Sequence, residues 1–394
     1  TEQWSLLVEV LRQLEQNAEG DERKRCMVKS AEVLSSELDQ LGDAISAWRF
    51  VLDDFGPEQH SLSALSKLYH KAERWDDLGE IYDIWIDLSD ELEERVELHA
   101  GQGDVRRLHL DDALGALASY RQVLTLDAEH KGARDALEGM LGHEDPDIKR
   151  EAAEIIGPLY EADGDAERLL KVLDIEIDST YEPQAKLATL RRALTTAEEI
   201  VENPGQAFDY AARGVREAIG EPSLADWLAT LERLAAETER WEPMLIQLEE
   251  VVGEMLDADV QQQTRLRAGE LARTMLEDNE RAIKHYRAAL EAMRDDRDAM
   301  VALEELYTET ENNTELHEIL QLRVDTARDD AERVDLLFLI AELRAGALED
   351  RDGAIRAYED LIDLSLDEDA IAALEKLYFA AEQYEQVISL QERL

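Results

Sequence analysis

The feature that most constrains this chain is a helix-spaced signature that recurs along its whole length. An alanine is followed by an apolar residue at the next position, an aromatic residue at +4 and an aliphatic residue at +8. The full signature begins at Ala44, Ala116, Ala282 and Ala354, and a weaker copy begins at Ala207. Self-similarity at a fixed period indicates a solenoid, in which each unit buries its apolar face only against its neighbours.

A second signature alternates with the first and sets the size of the repeat. It consists of an aromatic residue with an aliphatic residue three positions later, as in Trp75/Leu78 and Trp241/Met244. Ala44 and Ala116 are 72 residues apart, so one module holds two helical hairpins. No run of alternating Val, Ile and Thr with Asn-Gly turns occurs, which excludes a β-sheet. The chain is predicted to be all-α.

The module resembles the tetratricopeptide repeat family. Small residues lie thirteen positions before the anchor alanine, at Ala31, Gly103, Gly269 and Ala341. They match the small position in the first helix of that family's hairpin, and the alanine and aromatic match its second helix. The resemblance covers essentially all of residues 1–394. It implies a right-handed superhelix of about ten stacked hairpins, with first helices lining its concave face. Many units are longer than 34 residues, and the proline that usually ends the unit is mostly absent.

One interval breaks the spacing of the hairpins. Ala116 and Leu169 are 53 residues apart, about one helix more than elsewhere. A supernumerary helix is predicted at 145–162, with Asp145 as its N-cap and Pro146 in its first turn. We expect a bend there, between sub-arrays 1–144 and 163–394. The array itself is expected to be a fragment of a longer one.

The charge of the chain excludes several classes of ligand. Lys and Arg number 42 against 93 Asp and Glu, which gives a formal net charge of −51. Nucleic acids and anionic membranes both require clustered Lys and Arg, so neither is an expected partner. The acidity has two interpretations: a groove that collects a basic partner, or a solvated surface suited to a salt-adapted, bacterial source. The single cysteine, Cys26, is expected to be a buried thiol. No apolar run long enough to cross a membrane occurs, which favours a cytoplasmic location.

No motif of catalysis or cofactor binding is present. The phosphate-binding glycine loops, HExxH, GxSxG and CxxC are all missing, so no cofactor and no metal site is predicted. We therefore expect a non-enzymatic scaffold that binds a partner protein or peptide on the concave face. The alternative is a regulatory or sensor segment of a larger multidomain signalling or secretion protein. An enzyme with its site inside the superhelix is the third and least favoured hypothesis. The oligomeric state is left open.

Two charged positions recur in the modules and are the candidate binding residues. A basic residue lies 21 positions before the anchor alanine, at Arg23, Arg95, Lys186 and Arg333, and an acidic residue lies 12 before it, at Glu32, Asp104, Glu270 and Glu342. The functional hypothesis is a basic row in the groove that captures carboxylates of a partner. The structural alternative, which we favour, is an ion-pair ladder between modules or a helix cap.

Overall fold

The computed structural model describes residues 2–393, and every regular element in that range is a helix. The chain, predicted as one continuous array, divides into two compact units, Thr1–Glu202 and Asn203–Leu394. The helices of the first unit are α1 Glu2–Glu15, α2 Gly20–Ser36, α3 Leu41–Phe55, α4 Gln59–Lys71, α5 Trp75–Leu88, α6 Leu92–His109, α7 Ala113–Leu126, α8 Lys131–Met140, α9 Pro146–Asp163, α10 Ala166–Ser179 and α11 Pro183–Thr195, which a π-helical turn, Thr196–Ile200, extends.

The second unit continues with the same kind of helix. It contains α12 Pro204–Glu217, α13 Leu224–Thr238, α14 Trp241–Val251, α15 Ala258–Thr274, α16 Asn279–Ala292, α17 Arg297–Glu309, α18 Asn313–Asp325, α19 Asp330–Ala345, α20 Arg351–Leu364, α21 Glu368–Ala380 and α22 Tyr384–Arg393. Within each unit every helix packs against the next one in sequence, as a stack of hairpins requires. The predicted all-α, tetratricopeptide-like repeat fold is confirmed.

The recurrent small and aromatic residues interlock the two helices of a hairpin. Gly103 of α6 lies under the ring of Tyr120 on α7, and a Cβ atom at Gly103 would lie 2.7 Å from that ring. Gly269 and Tyr286 repeat the arrangement between α15 and α16, where the Cβ atom would lie 2.9 Å away. The aromatic residues of the alanine signature are buried, and so is Trp227, which lies outside both signatures, whereas Trp75 and Trp241 of the second signature are half-buried. Cys26, expected to be buried, is only partly so.

The turn inside a hairpin places one residue in the left-handed region, and that residue is nearly always acidic. Eight such residues have φ between +50° and +58°: Asp39, Glu73, Asp111, Glu239, Glu277, Glu311, Glu349 and Glu382. A side chain other than glycine adopts this conformation at a cost of about 1–2 kcal/mol. The packing of the two helices therefore imposes a backbone conformation at the turn that a residue other than glycine does not favour.

Helix α9 belongs to a regular hairpin, so it is not the supernumerary helix. Gly164, with φ +70°, occupies the left-handed position before α10, and α9 packs most extensively on α10. The short α8 contacts α7 and α9 and has no second helix of its own. The helix in excess is therefore α8, and the helix predicted at 145–162 is the first helix of the α9/α10 hairpin. Leu159-Tyr160, which match Leu68-Tyr69 at the end of α4, carry the signal for this pairing. The bend between the sub-arrays stays a prediction.

Candidate protein-binding grooves

Ion pairs join many of the hairpins to the next one and account for many of the charges between the repeats. Arg49 on α3 contacts Glu80 on α5 at 3.2 Å, and Arg121 on α7 contacts Glu151 on α9 at 3.2 Å. In the second unit Arg281 on α16 contacts Glu249 on α14 at 2.8 Å, and a second pair to Glu242 has the same length. The partners lie about one hairpin apart in sequence. These pairs therefore form an ion-pair ladder between hairpins, but the basic residues in it are not the four candidates named from the sequence.

The four nominated basic residues lie near the start of their first helices. Arg23 on α2 donates to Asp54 at the end of α3, 2.5 Å away, and lines a groove of about 540 Å³ between α1, α2 and α3. Arg333 on α19 lines an equivalent cavity of about 330 Å³ with residues of α18 and α20. Arg95 and Lys186 are partly buried on α6 and α11.

Arg23 and Arg333 therefore face the groove between successive second helices, whereas the hypothesis placed them on the face of the first helices. Arg23, Arg95 and Lys186 belong to the first unit and Arg333 to the second. Capture of a partner's carboxylate by this row stays a prediction.

Three members of the nominated acidic row contact other side chains, and one of them, Glu32, meets Lys29 on its own helix and His60 on α4, 3.2 Å away. Asp104 accepts a hydrogen bond from the Tyr120 hydroxyl at 2.7 Å, and Glu270 accepts from Arg267 one turn earlier. The Tyr120 hydroxyl is buried, and this raises its pKa to about 12. The contact of Asp104 holds the ring of Tyr120 over Gly103, which is a structural role.

A basic groove lies between the first helices α2 and α4, and we call it the α2–α4 groove. Its volume is about 540 Å³, and its lining includes Trp4, Lys29, Glu32, Trp48, His60, Lys67 and Lys71. The indole of Trp48 forms part of its floor, donates to the Ser35 hydroxyl at 3.1 Å, and meets the ring of His60 edge-on with centroids 5.1 Å apart. Ring faces and ammonium groups thus converge on one space.

The charges of the α2–α4 groove are only partly neutralised. Lys29 donates to Glu32 at 2.9 Å, and Lys71 pairs with Asp39. The hydrogen bond from Lys29 lowers the pKa of Glu32, so this carboxylate stays ionised beside the lysine. Lys67 is exposed and takes part in none of the ion pairs of residues 2–393. An ammonium group is therefore free to meet an anion.

Recurrence in the sequence does not reveal this groove, because its lysines are not repeated in every module. The available signal was the uneven distribution of lysine. Four of the ten lysines, Lys24, Lys29, Lys67 and Lys71, lie on the two helices α2 and α4.

Two smaller cavities lie in similar places between first helices. One of about 430 Å³ lies between α9 and α11 beside the π-helical turn, and one of about 220 Å³ lies between α13 and α15. No group of three or more His, Cys, Asp or Glu side chains in residues 2–393 is arranged to hold a metal ion. Across the same range no helix combines the length and the apolar character that a bilayer crossing requires.

Comparison with known proteins gives only distant structural likenesses. No model of a known protein family and no curated protein matches the sequence. Among solved structures, the tetratricopeptide domain of P58(IPK) is 15% identical, with 92% of this chain and 99% of that one covered, at a TM-score of 0.25. A chain of the APC/C hetero-tetramer Cut9–Hcn1 is 12% identical, with 95% and 92% covered, at a TM-score of 0.23.

Proposed function

We propose that the protein is a non-enzymatic scaffold and that the α2–α4 groove binds an acidic segment of a partner protein. The observation that carries the proposal is that three of ten lysines line one groove in a chain with a net charge of −51. Three ammonium groups therefore outnumber the two carboxylates, Glu32 and Glu37, that line the same groove.

The overall negative charge does not prevent this recognition. At physiological ionic strength charges further away than about 8 Å are largely screened. A bound carboxylate would be attracted mainly by Lys29, Lys67 and Lys71, which line the groove. Long-range repulsion would slow association, and the local ammonium groups would set the lifetime of the complex.

An exposed indole adds an apolar contribution to the binding. Trp48 is only 1% exposed, held in place by Ser35, and Trp4 is 39% exposed at the edge of the groove. A volume of about 540 Å³ suits a few side chains of an extended segment rather than a folded domain. The expected ligand alternates apolar and acidic side chains.

The experiment measures the binding of three labelled twelve-residue peptides by fluorescence anisotropy at about 150 mM salt. The peptides alternate Ala with Glu, Gln or Lys, so that only their charge differs. We expect the Glu peptide to bind tightest to the natural protein. Lys67→Glu should weaken it about tenfold, which corresponds to about 1.4 kcal/mol.

Lys376 provides a matched control for the charge change. It precedes Leu377-Tyr378 just as Lys67 precedes Leu68-Tyr69, it is exposed on a first helix, and no ion pair within the described residues 2–393 engages it. Lys376→Glu changes the net charge equally but lies outside the groove, so affinity should be unchanged. Tighter binding of the Lys peptide would instead support the basic partner predicted from the overall charge. Equal losses in the two variants would refute the proposed groove.

A further inference from the structure

A polar stripe runs along one face of α6. Arg95, His99, Gln102 and Arg106 are spaced i, i+4, i+7 and i+11, which places them above one another on the helix. His99 and Gln102 are buried, with 9% and 4% of their surface exposed. Buried polar side chains need hydrogen-bond partners, so each of these groups must be accounted for.

The other modules do not share this stripe. At the position of His99 they carry Met27, Leu190, Arg265 and Leu337, and at the position of Gln102 they carry Ser30, Ala193, Ala268 and Ile340. The fold therefore does not require polar groups here, since small or apolar side chains fill the same places in most modules. The module that ends at α7 has gained a feature beyond the repeat.

The C-terminal half of the stripe is satisfied by protein groups. Gln102 donates to Asp83 on α5 at 2.5 Å and accepts from Ser119 on α7 at 2.9 Å. Arg106 donates to the Gly115 carbonyl at 3.2 Å and lies 3.5 Å from Asp83 and 3.9 Å from Asp112. This half of the stripe thus contacts α5 and α7, just as Arg23 on α2 lies between α1 and α3.

The N-terminal half of the stripe is not satisfied. Arg95 Nε and His99 Nδ1 are both buried and have no hydrogen-bond partner. Arg95 also has no ion pair anywhere in residues 2–393, although the chain contains 93 acidic residues. Burial, together with the positive charges of Arg95 and Arg106, lowers the pKa of His99. The imidazole is therefore neutral at pH 7 and carries one N–H.

We infer that Arg95 and His99 bind a carboxylate ligand at the N-terminal half of the α6 stripe. Arg95 Nε–H donates to one oxygen and His99 Nδ1–H donates to the other. The ligand is either a free small carboxylate or an acidic side chain of a partner protein, and both offer the same two acceptor atoms. This site is separate from the α2–α4 groove and does not depend on it.

The experiment follows the His99 ring by ¹⁵N NMR during a pH titration of the full chain. One arm adds succinate, a second adds the Ala–Glu peptide, and a third adds sodium chloride at equal ionic strength. A bound carboxylate stabilises the imidazolium, so the pKa of His99 should rise by about one unit, and affinity should increase as the pH falls through that range. The buried His285, which already contacts Glu249 at 3.0 Å, is the internal control and should not respond.

Variants identify the residues responsible. Arg95→Met and the more conservative Arg95→Gln should both abolish the rise in the pKa of His99. Arg23→Met, at the same repeat position but with a guanidinium already bound to Asp54, should leave the response intact. Lys67→Glu should also leave it intact, which separates this site from the proposed function.

Each outcome decides the inference. A rise with succinate identifies a free carboxylate as sufficient, and a rise with the peptide alone identifies a partner's side chain. No rise in either arm overturns the inference, as does an equal rise with sodium chloride. A response that survives both Arg95 substitutions also overturns it.

Discussion

Replacing Gly103 by alanine tests the interlock between the two helices of a hairpin. The new Cβ atom would lie 2.7 Å from Tyr120 Cε1 and 3.0 Å from two neighbouring ring atoms. Tyr120 cannot move aside easily, because it is buried and its hydroxyl contacts Asp104 at 2.7 Å and Arg107 at 3.0 Å. Overpacking of this kind costs about 1–3 kcal/mol.

The helix propensity of alanine opposes this cost. Replacing a glycine inside a helix by alanine gains about 1 kcal/mol when no clash occurs. Gly139 on α8 is the matched control, since a Cβ atom there would have nothing within 4 Å. We therefore expect Gly139→Ala to stabilise the first unit by about 1 kcal/mol and Gly103→Ala to destabilise it by about 1 kcal/mol.

The assay is thermal unfolding with a parallel urea titration. The two variants should differ by about 2 kcal/mol, or about 4–8 °C in Tm for a unit of this size. Combining Gly103→Ala with Tyr120→Leu should recover part of the loss, because the flexible leucine can give way. If Gly103→Ala stabilises the protein as much as Gly139→Ala does, the proposed interlock is refuted.

Three further predictions concern the turns, the ladder and the buried tyrosine. Gly164→Ala should lower the free energy of unfolding by about 1 kcal/mol and Glu239→Gly should raise it by a similar amount, since both residues occupy the left-handed turn position. A stabilised Gly164→Ala variant or a destabilised Glu239→Gly variant in urea titrations would contradict this. Arg281→Gln should destabilise the second unit by about 0.5–1 kcal/mol at low salt and by less at 1 M salt, because it removes the pairs to Glu242 and Glu249; a loss that does not depend on salt would argue against the ladder. Because the pKa of Tyr120 is raised to about 12 in the folded protein, its contribution to stability is complete below pH 10 and is lost as the pH rises from 10 to 12. Tyr120→Phe should remove that part of the alkaline destabilisation. A dependence of stability on pH that Tyr120→Phe leaves unchanged would exclude this contribution of Tyr120.

The fold was largely predictable because the repeat carries redundant information. Each copy of the alanine–aromatic signature indicates the same helix pair, so an error in one copy is corrected by the others. The supernumerary helix was misplaced because α8 and α9 both have the pattern of a first helix. Only the packing on α10 and the turn at Gly164 distinguish them.

The candidate sites were predictable only in part, because they depart from the repeat. Arg95 was nominated as a member of a row, yet its distinguishing feature is the neighbour His99, which the other modules lack. The α2–α4 groove joins Trp4, Lys29 and Lys67 from three helices. Their spacing in sequence follows no period, so only the three-dimensional arrangement brings them together.

The most direct test of the account is indole NMR of the protein during titration with the Ala–Glu peptide. Trp4 and Trp48 line the α2–α4 groove, whereas Trp227 is buried in the second unit. If the α2–α4 groove binds the Ala–Glu peptide, we expect saturable shifts of the Trp4 and Trp48 indole signals and no shift of the Trp227 signal. The Ala–Lys peptide should shift none of the three signals. Unchanged Trp4 and Trp48 signals at saturating peptide would contradict it.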